Sequence, residues 1–281
     1  MVERKGAHSL ISHLILFIGA ATVIFPLYIA LVAASHPAEE LIRSTPLWFG
    51  PYLYDNLSSI MGQGFQAAGG APVWRMMLNS FIMSMGIAIG KIAVSLIAAY
   101  AIVYFRLPGR GLFFFLILIT LMLPVEVRIV PTFEVASNLG LIDSYMGLIL
   151  PLVASATATF LYRQFFLTIP EELLEAARID GAGPWRFFKD VAWPLSQTNT
   201  AALFVVTFIT GWNQYLWPLL VTNQESMYTV VMAIQRMVNV PDAPVEWNLV
   251  MCTAILGMLP PLLVVLGMQR LFIKGLIEQE K

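Results

Sequence analysis

The sequence predicts an all-α, polytopic membrane protein: six transmembrane helices in one domain, with a polar helical hairpin between the fourth and fifth. Three observations carry this. The 281 residues are 58% hydrophobic and only 12% charged, against about 25% charged in soluble domains. Six apolar runs reach the roughly 20 residues that cross a bilayer. The basic residues between those runs fall mostly on one side.

The first run, residues 10–34, follows Arg4 and Lys5. It is far longer than the 7–15 apolar residues, roughly, of a secretory signal and has no clean small-residue cleavage site, so it reads as a retained helix. The remaining spans are 76–104, 112–135, 145–166, 200–221 and 249–272. Placing the N-terminus inside puts eleven lysines and arginines on the inner side, among them Arg106, Arg110, Arg163, Arg178, Arg186, Lys189 and Arg270, and three outside, Arg43, Arg75 and Arg236. Positive residues collect in short cytoplasmic loops, so both termini and the 168–196 segment are expected in the cytoplasm. The two outer connections, about 35–75 and 222–248, are rich in Pro, Gly, Trp and Tyr, a composition suited to the membrane interface or an external partner.

Several function classes drop out. A formal net charge of −1 does not fit a nucleic-acid partner, which demands a clustered basic excess. One cysteine, Cys252, allows no internal disulfide and no cysteine metal cluster. His8, His13 and His36 show no ligand spacing and read as interfacial or capping residues. No phosphate-binding G-x-x-x-x-G-K-[ST] run occurs, and no nucleophile elbow or paired-histidine motif.

The hairpin is the most polar stretch between two long apolar runs. Thr168-Ile-Pro-Glu171 reads as a helix start, with a hydroxyl cap, an early Pro and acids against the positive helix end. Leu173, Leu174, Ala177 and Ile179 recur at helical spacing, and Gly181 after Asp180 suits a left-handed C-cap. Pro184 opens a second short helix, which Pro194 is expected to stop. Ala176 and Ala177 would let another surface approach closely, and Phe187 and Phe188 would serve as knobs for a groove. Between Glu171 and Asp190 five acids, including Glu175, face three bases. Helices that merely rest on lipid favour lysine and arginine. An acidic face suits a protein partner better.

Charged residues within spans are costly and face a protein or water-filled interior. Three qualify: Lys91 in span two, and Glu126 and Arg128 in span three. Glu126 and Arg128 project about 200° apart on a helix, so they cannot pair with each other. Lys91 or Arg128 could attract a phosphate-bearing solute, or Lys91 could bridge to Glu126 between helices. Trp212, Asn213, Gln214 and Tyr215, with Trp217, are expected near the outer end of span five. They suit a polyol or sugar in a translocation path, and equally an interfacial aromatic belt.

"EAARIDGA" at Glu175–Ala182, followed by "PLS" at Pro194–Ser196, resembles the EAA loop of ABC importer permeases. The likeness extends to "RQFF" (163–166), "IPEEL" (169–173), "NSFIMS" (79–84), "AAYAIVYFR" (98–106), "MLPVEVRIVPTF" (122–133) and "GWNQYLWPL" (211–219). It covers essentially the whole chain. These motifs resemble the carbohydrate-type permeases that include the maltose importer's subunits. "TLMLPVEVRI", "LPLVASATATFLYRQFF", "FITGWNQYLWPLL" and the ending "GLIEQEK" look most like members that carry sn-glycerol-3-phosphate.

The resemblance implies a permease subunit of a bacterial inner membrane importer that moves sn-glycerol-3-phosphate, perhaps with glycerophosphodiesters. It implies a second permease subunit, a pair of ATPase subunits that use ATP and Mg, and an external solute-binding protein. The hairpin would be the coupling helix docked on an ATPase, with Glu171, Glu175, Asp180, Ala182 and their neighbours at the contact and Gly181 at the bend. The chain itself would bind no cofactor. The rivals are an oligosaccharide permease, and more remotely an ion-coupled carrier, for which Glu126 is the one deep acid.

Overall fold

Continuous apolar sequence without strand alternation folds into helices, and the computed structural model is all-helical among the described residues, with no strand. It describes residues 7–62, 64, 70–105, 107–122, 125–240 and 243–279; for 7–10, 121, 122, 125, 126 and 270–279 it describes the backbone alone. In chain order the helices are α1 (Ala7–Ala34), α2 (Ala38–Arg43), α3 (Leu53–Gly62), α4 (Val73–Tyr104), α5 (Arg110–Met122), α6 (Val125–Asn138) and α7 (Tyr145–Ile149). They continue as α8 (Ala156–Thr168), α9 (Glu171–Ile179), α10 (Pro184–Phe187), α11 (Trp193–Trp212), α12 (Leu216–Val221), α13 (Val230–Val238) and α14 (Trp247–Gln279).

By length and composition, α1, α4 and α14 can each cross a membrane alone. Tyr145–Leu152 and Ala156–Thr168, a pair bent by 49°, are long and apolar enough only when taken together. Span three is covered by α5 and α6, and residues 123 and 124 between them lie outside the described residues. One expected span differs from its sequence reading. Span five begins at Trp193 rather than 200 and ends at Trp212, because Ser196, Gln197 and Asn199 are helical despite their polarity. A helix that lines a cavity can carry such residues, since they need not meet lipid.

The chain falls into two compact units, residues 1–75 with 233–259, and 76–232 with 260–281. In the first, α1 leaves Ile15, Leu16, Phe17 and Val23 exposed, a surface that only an apolar solvent tolerates. Its end is tied down by polar groups. Asn56 donates through Nδ2 to the carbonyls of Ala34 (2.9 Å) and His36 (3.0 Å). Its Oδ1 accepts from Asn248 Nδ2 at 3.0 Å. His36 is buried, with Nδ1 2.9 Å from Glu40 Oε2 and Nε2 2.9 Å from the Trp48 carbonyl. The histidine expected to be interfacial or capping therefore closes a loop.

In the second unit, Gly86 and Gly90 let α4 approach the bend before α8. A Cβ there would come within 2.6 Å of Ile149 Cδ1 and 2.5 Å of Val153 Cγ1 respectively, the close backbone approach that small residues four apart permit. Two apolar clusters flank this contact. One gathers Met83, Ile87, Ala136, Leu148, Trp217 and Val221. The other centres on Tyr100, Tyr162, Phe166 and Phe187. Asn79 fastens the start of α4 by donating to the Ser226 and Tyr228 carbonyls, both at 2.9 Å, and accepting from the Tyr145 hydroxyl at 2.7 Å.

Candidate functional site

The hairpin is built by two local devices. α9 ends in a Schellman turn: Ala182 N–H donates to the Ala177 carbonyl at 2.8 Å and Gly181 N–H to Arg178 at 3.1 Å. Gly181 has φ +71°, a left-handed conformation that glycine adopts without the Cβ clash. The second device is a π-helical turn over Phe188–Ala192, in which Trp193 N–H bonds back to Phe188. Pro194 does not stop the helix, contrary to expectation. It sits in the first turn of α11, and the wider turn before it accommodates a ring that would otherwise clash with the preceding carbonyls. Nor does Thr168 cap α9: its hydroxyl donates back to the Phe165 carbonyl, and Pro170 holds the cap position with no side-chain bond.

Packing then decides which face is free. Phe187 is 2% exposed. Its ring lies 5.1 Å from Tyr104, and Phe188 lies 5.0 Å from Tyr100, both edge-on. The Tyr100 hydroxyl donates to the Pro184 carbonyl at 2.6 Å. Leu174 and Ala177 pack on the same cluster. Phe187 and Phe188 are thus anchors facing inward, not outward knobs. Their aromatic area gains more from the tyrosines of α4 than from water.

The opposite surface carries Glu171, Glu172, Glu175, Ala176, Arg178 and Asp180, all exposed. Ile179 joins them at 86% exposure, an outward residue that sequence reasoning missed. Trp185, also exposed, stacks on Phe188 at 5.4 Å and lines a groove with Ile89 and Ile97 of α4. Ile179 lay within the apolar stripe, and only the turn at Gly181 shows that it projects outward.

A cavity of about 520 Å³ lies between α4, α8 and α11. Lys91 lines it, together with Thr157, Tyr162, Asn199, Thr207 and Thr210. Lys91 is half-buried. Arg128 is exposed, whereas the side chain of Glu126 lies outside the described residues. The structure therefore brings Lys91 to a solute-sized space that is mostly apolar in surface but also offers Asn199 and the threonines, which sequence reasoning missed. Asn199 stood in the polar run "LSQTNT" just before the expected span, and that run is the signal that could have found it.

The tract 211–219 is divided. Trp212 is buried and stacks on Phe208 at 6.0 Å, so it is core, not path lining. Trp217 is buried with Nε1 donating to the Gly147 carbonyl at 3.0 Å. Asn213, Gln214 and Tyr215 form the break between α11 and α12, with Asn213 and Tyr215 exposed and Gln214 half-buried. None of these three lines the Lys91 cavity.

Residues 91–278 match the family of binding-protein-dependent transport system inner membrane components. The chain is 55% identical, over the full length of both proteins, to "sn-glycerol-3-phosphate transport system permease protein UgpE" of Yersinia pestis bv. Antiqua (strain Antiqua). It is equally similar to the protein of the same name from Rhizobium meliloti (strain 1021), 55% over all of both chains. Its fold resembles a chain of a bacterial ABC transporter involved in the import of the acidic polysaccharide alginate, with TM-score 0.80, 18% identity and 96% and 98% of the two chains covered. The all-α chain with its hairpin therefore belongs to the binding-protein-dependent transport system inner membrane components, the permease subunits of ABC importers.

Proposed function

We propose that this permease subunit passes sn-glycerol-3-phosphate, and with it glycerophosphodiesters, across a bacterial inner membrane. ATP and Mg are used by a pair of partner ATPase subunits. A second permease subunit completes the pathway, and an external solute-binding protein delivers the solute. Both termini and the hairpin face the cytoplasm, as the distribution of lysine and arginine requires. Six crossings, including the α5–α6 pair and α11, make up the spanning bundle.

The observation that carries this reading is the two-faced hairpin. Its inner side is fixed to α4 and α8 by Tyr100, Tyr104, Phe166 and Phe187. Its outer side leaves Glu171, Glu175, Ala176, Ile179 and Asp180 free for an ATPase groove. A lever needs both properties. Closure of the ATPases shifts the bundle only by the difference in contact free energy between its states, and a loosely attached hairpin would lose that difference in its own bending. The choice of solute rests on the relatives' names and on Lys91 in a solute-sized cavity. A cation there favours an anionic group, and a glycerol backbone suits Asn199 and the threonine hydroxyls.

The test is reconstitution of the whole importer with Gly181→Val. A β-branched residue opposes the left-handed turn. The variant is expected to assemble, yet lose at least about tenfold of its solute-driven uptake, one factor of ten being about 1.4 kcal/mol. Normal ATP-driven uptake would remove the coupling role. Lys91→Met should raise KM for sn-glycerol-3-phosphate about tenfold, the low end for losing a charged hydrogen bond; an unchanged KM would take Lys91 out of solute recognition.

A further inference from the structure

At the hairpin end of α5 and α8 lies a smaller cavity that transport of the solute does not use. It holds about 170 Å³ and is lined by Ile102, Val103, Arg110, Gly111, Arg163 and Leu167. It has room for a phosphate group. Two cations from two different helices meet there. Arg163, on α8, is fixed in place by Phe114, whose ring centroid is 4.1 Å from the guanidinium carbon. That contact orients the guanidinium but accepts no hydrogen bond in its plane. Its Nε is fully shielded and has no hydrogen-bond partner among the described residues. A shielded guanidinium N–H needs an acceptor.

The first turn of α5 supplies further positive character. Arg110 opens the helix and Gly111 lines the cavity, at the positive end of the helix dipole, which favours an anion. The surroundings decide what kind of anion. Ile102, Val103 and Leu167 complete the lining, and Phe115, exposed on α5, follows one turn after Gly111. A free phosphate gains nothing from that surface, whereas a lipid does.

We infer that this cavity holds the phosphodiester of an anionic phospholipid, gripped by Arg163 and Arg110 at the start of α5, with the acyl chains lying along α5 and α8. Basic pockets between helices at the cytoplasmic interface suit such headgroups, each arginine adding a modest electrostatic share. The site is distinct from the Lys91 cavity and from the outer face of the hairpin.

The test is native mass spectrometry of the full chain in detergent, titrated with phosphatidylglycerol, phosphatidylcholine or inorganic phosphate. The wild type should retain one phosphatidylglycerol at least about tenfold more tightly than phosphatidylcholine, through the two cations together. Arg163→Met and Arg110→Gln should each weaken phosphatidylglycerol about fivefold and leave phosphatidylcholine unchanged. Arg110 is exposed, so its variant carries the test if Arg163→Met fails to fold. Equal retention of phosphatidylglycerol by the wild type and the Arg110→Gln variant would overturn the proposal. So would inorganic phosphate that fills the site and is not displaced by phosphatidylglycerol, because the site would then take free phosphate and not lipid.

Discussion

The hairpin and the loop after α1 are both short segments fastened to helix ends, but by opposite means. The hairpin is held by aromatic area: Phe187 and Phe188 against Tyr104 and Tyr100, with one hydrogen bond from Tyr100 to Pro184. The loop is held by polar groups: Asn56 bonded to two carbonyls and to Asn248, and His36 between Glu40 and Trp48. The difference teaches something about task. Packed rings resist displacement without specifying a charge, which suits a part that transmits force. A hydrogen-bonded loop specifies one geometry and responds to the protonation of its members.

Breaking the hairpin should have the largest effect. Phe187→Ala removes the one ring in it that is almost fully buried, and burial of that kind is worth about 3–5 kcal/mol. The hairpin should detach from α4, read as a large gain in hydrogen exchange over residues 171–192 with the spans still protected. Unchanged protection there would mean that Tyr100 and Leu174 suffice to hold it.

The loop should lose less from a single change. Asn56→Ala leaves the Ala34 and His36 carbonyls and the Asn248 amide short of a partner, and buried groups left unpaired cost about 1–3 kcal/mol. Thermal unfolding of the full chain in detergent should report a lower midpoint, with hairpin exchange unaltered. If the hairpin loosened as well, the two regions would not be independent.

The smallest effect concerns pH. Both ring nitrogens of His36 face acceptors, so the doubly protonated ring satisfies both. The Trp48 carbonyl first, then Glu40, raise its pKa above the ordinary 6.5, against desolvation. A raised folded-state value stabilises the loop fully below the unfolded value and loses that contribution as pH climbs through the folded one. Loop protection should therefore decline between neutral and alkaline pH, and His36→Gln should flatten the profile. A wild-type profile already flat would show that the ring is neutral in both states.

Much of the hairpin is legible in the sequence. Gly181 after Asp180 predicts the left-handed turn, since few other residues tolerate it, and Pro184 marks a fresh start. Pro194 as a stop and the phenylalanines as knobs are not borne out by the fold. A proline's effect depends on whether the turn before it can widen, and spacing alone does not reveal a π turn. The Lys91 cavity is half legible. Lys91 stands out because a cation in an apolar run demands an explanation. Asn199, Thr207 and Thr210 do not, because a threonine or asparagine in a helix is informative only once its neighbour is known.

Composition, the length of the apolar runs and the placement of lysine and arginine were enough to set an all-helical membrane class and to single out one polar segment between two apolar runs. These are properties of the chain against its solvent, and solvent acts on every residue in the same way. Tertiary structure alone decided that Phe187 and Trp212 turn inward, that Ile179 remains bare, and that Asn199 meets Lys91 across a cavity. The physical reason is that helical periodicity states which residues share a face, whereas only the packed neighbour determines whether that face is covered, and by what.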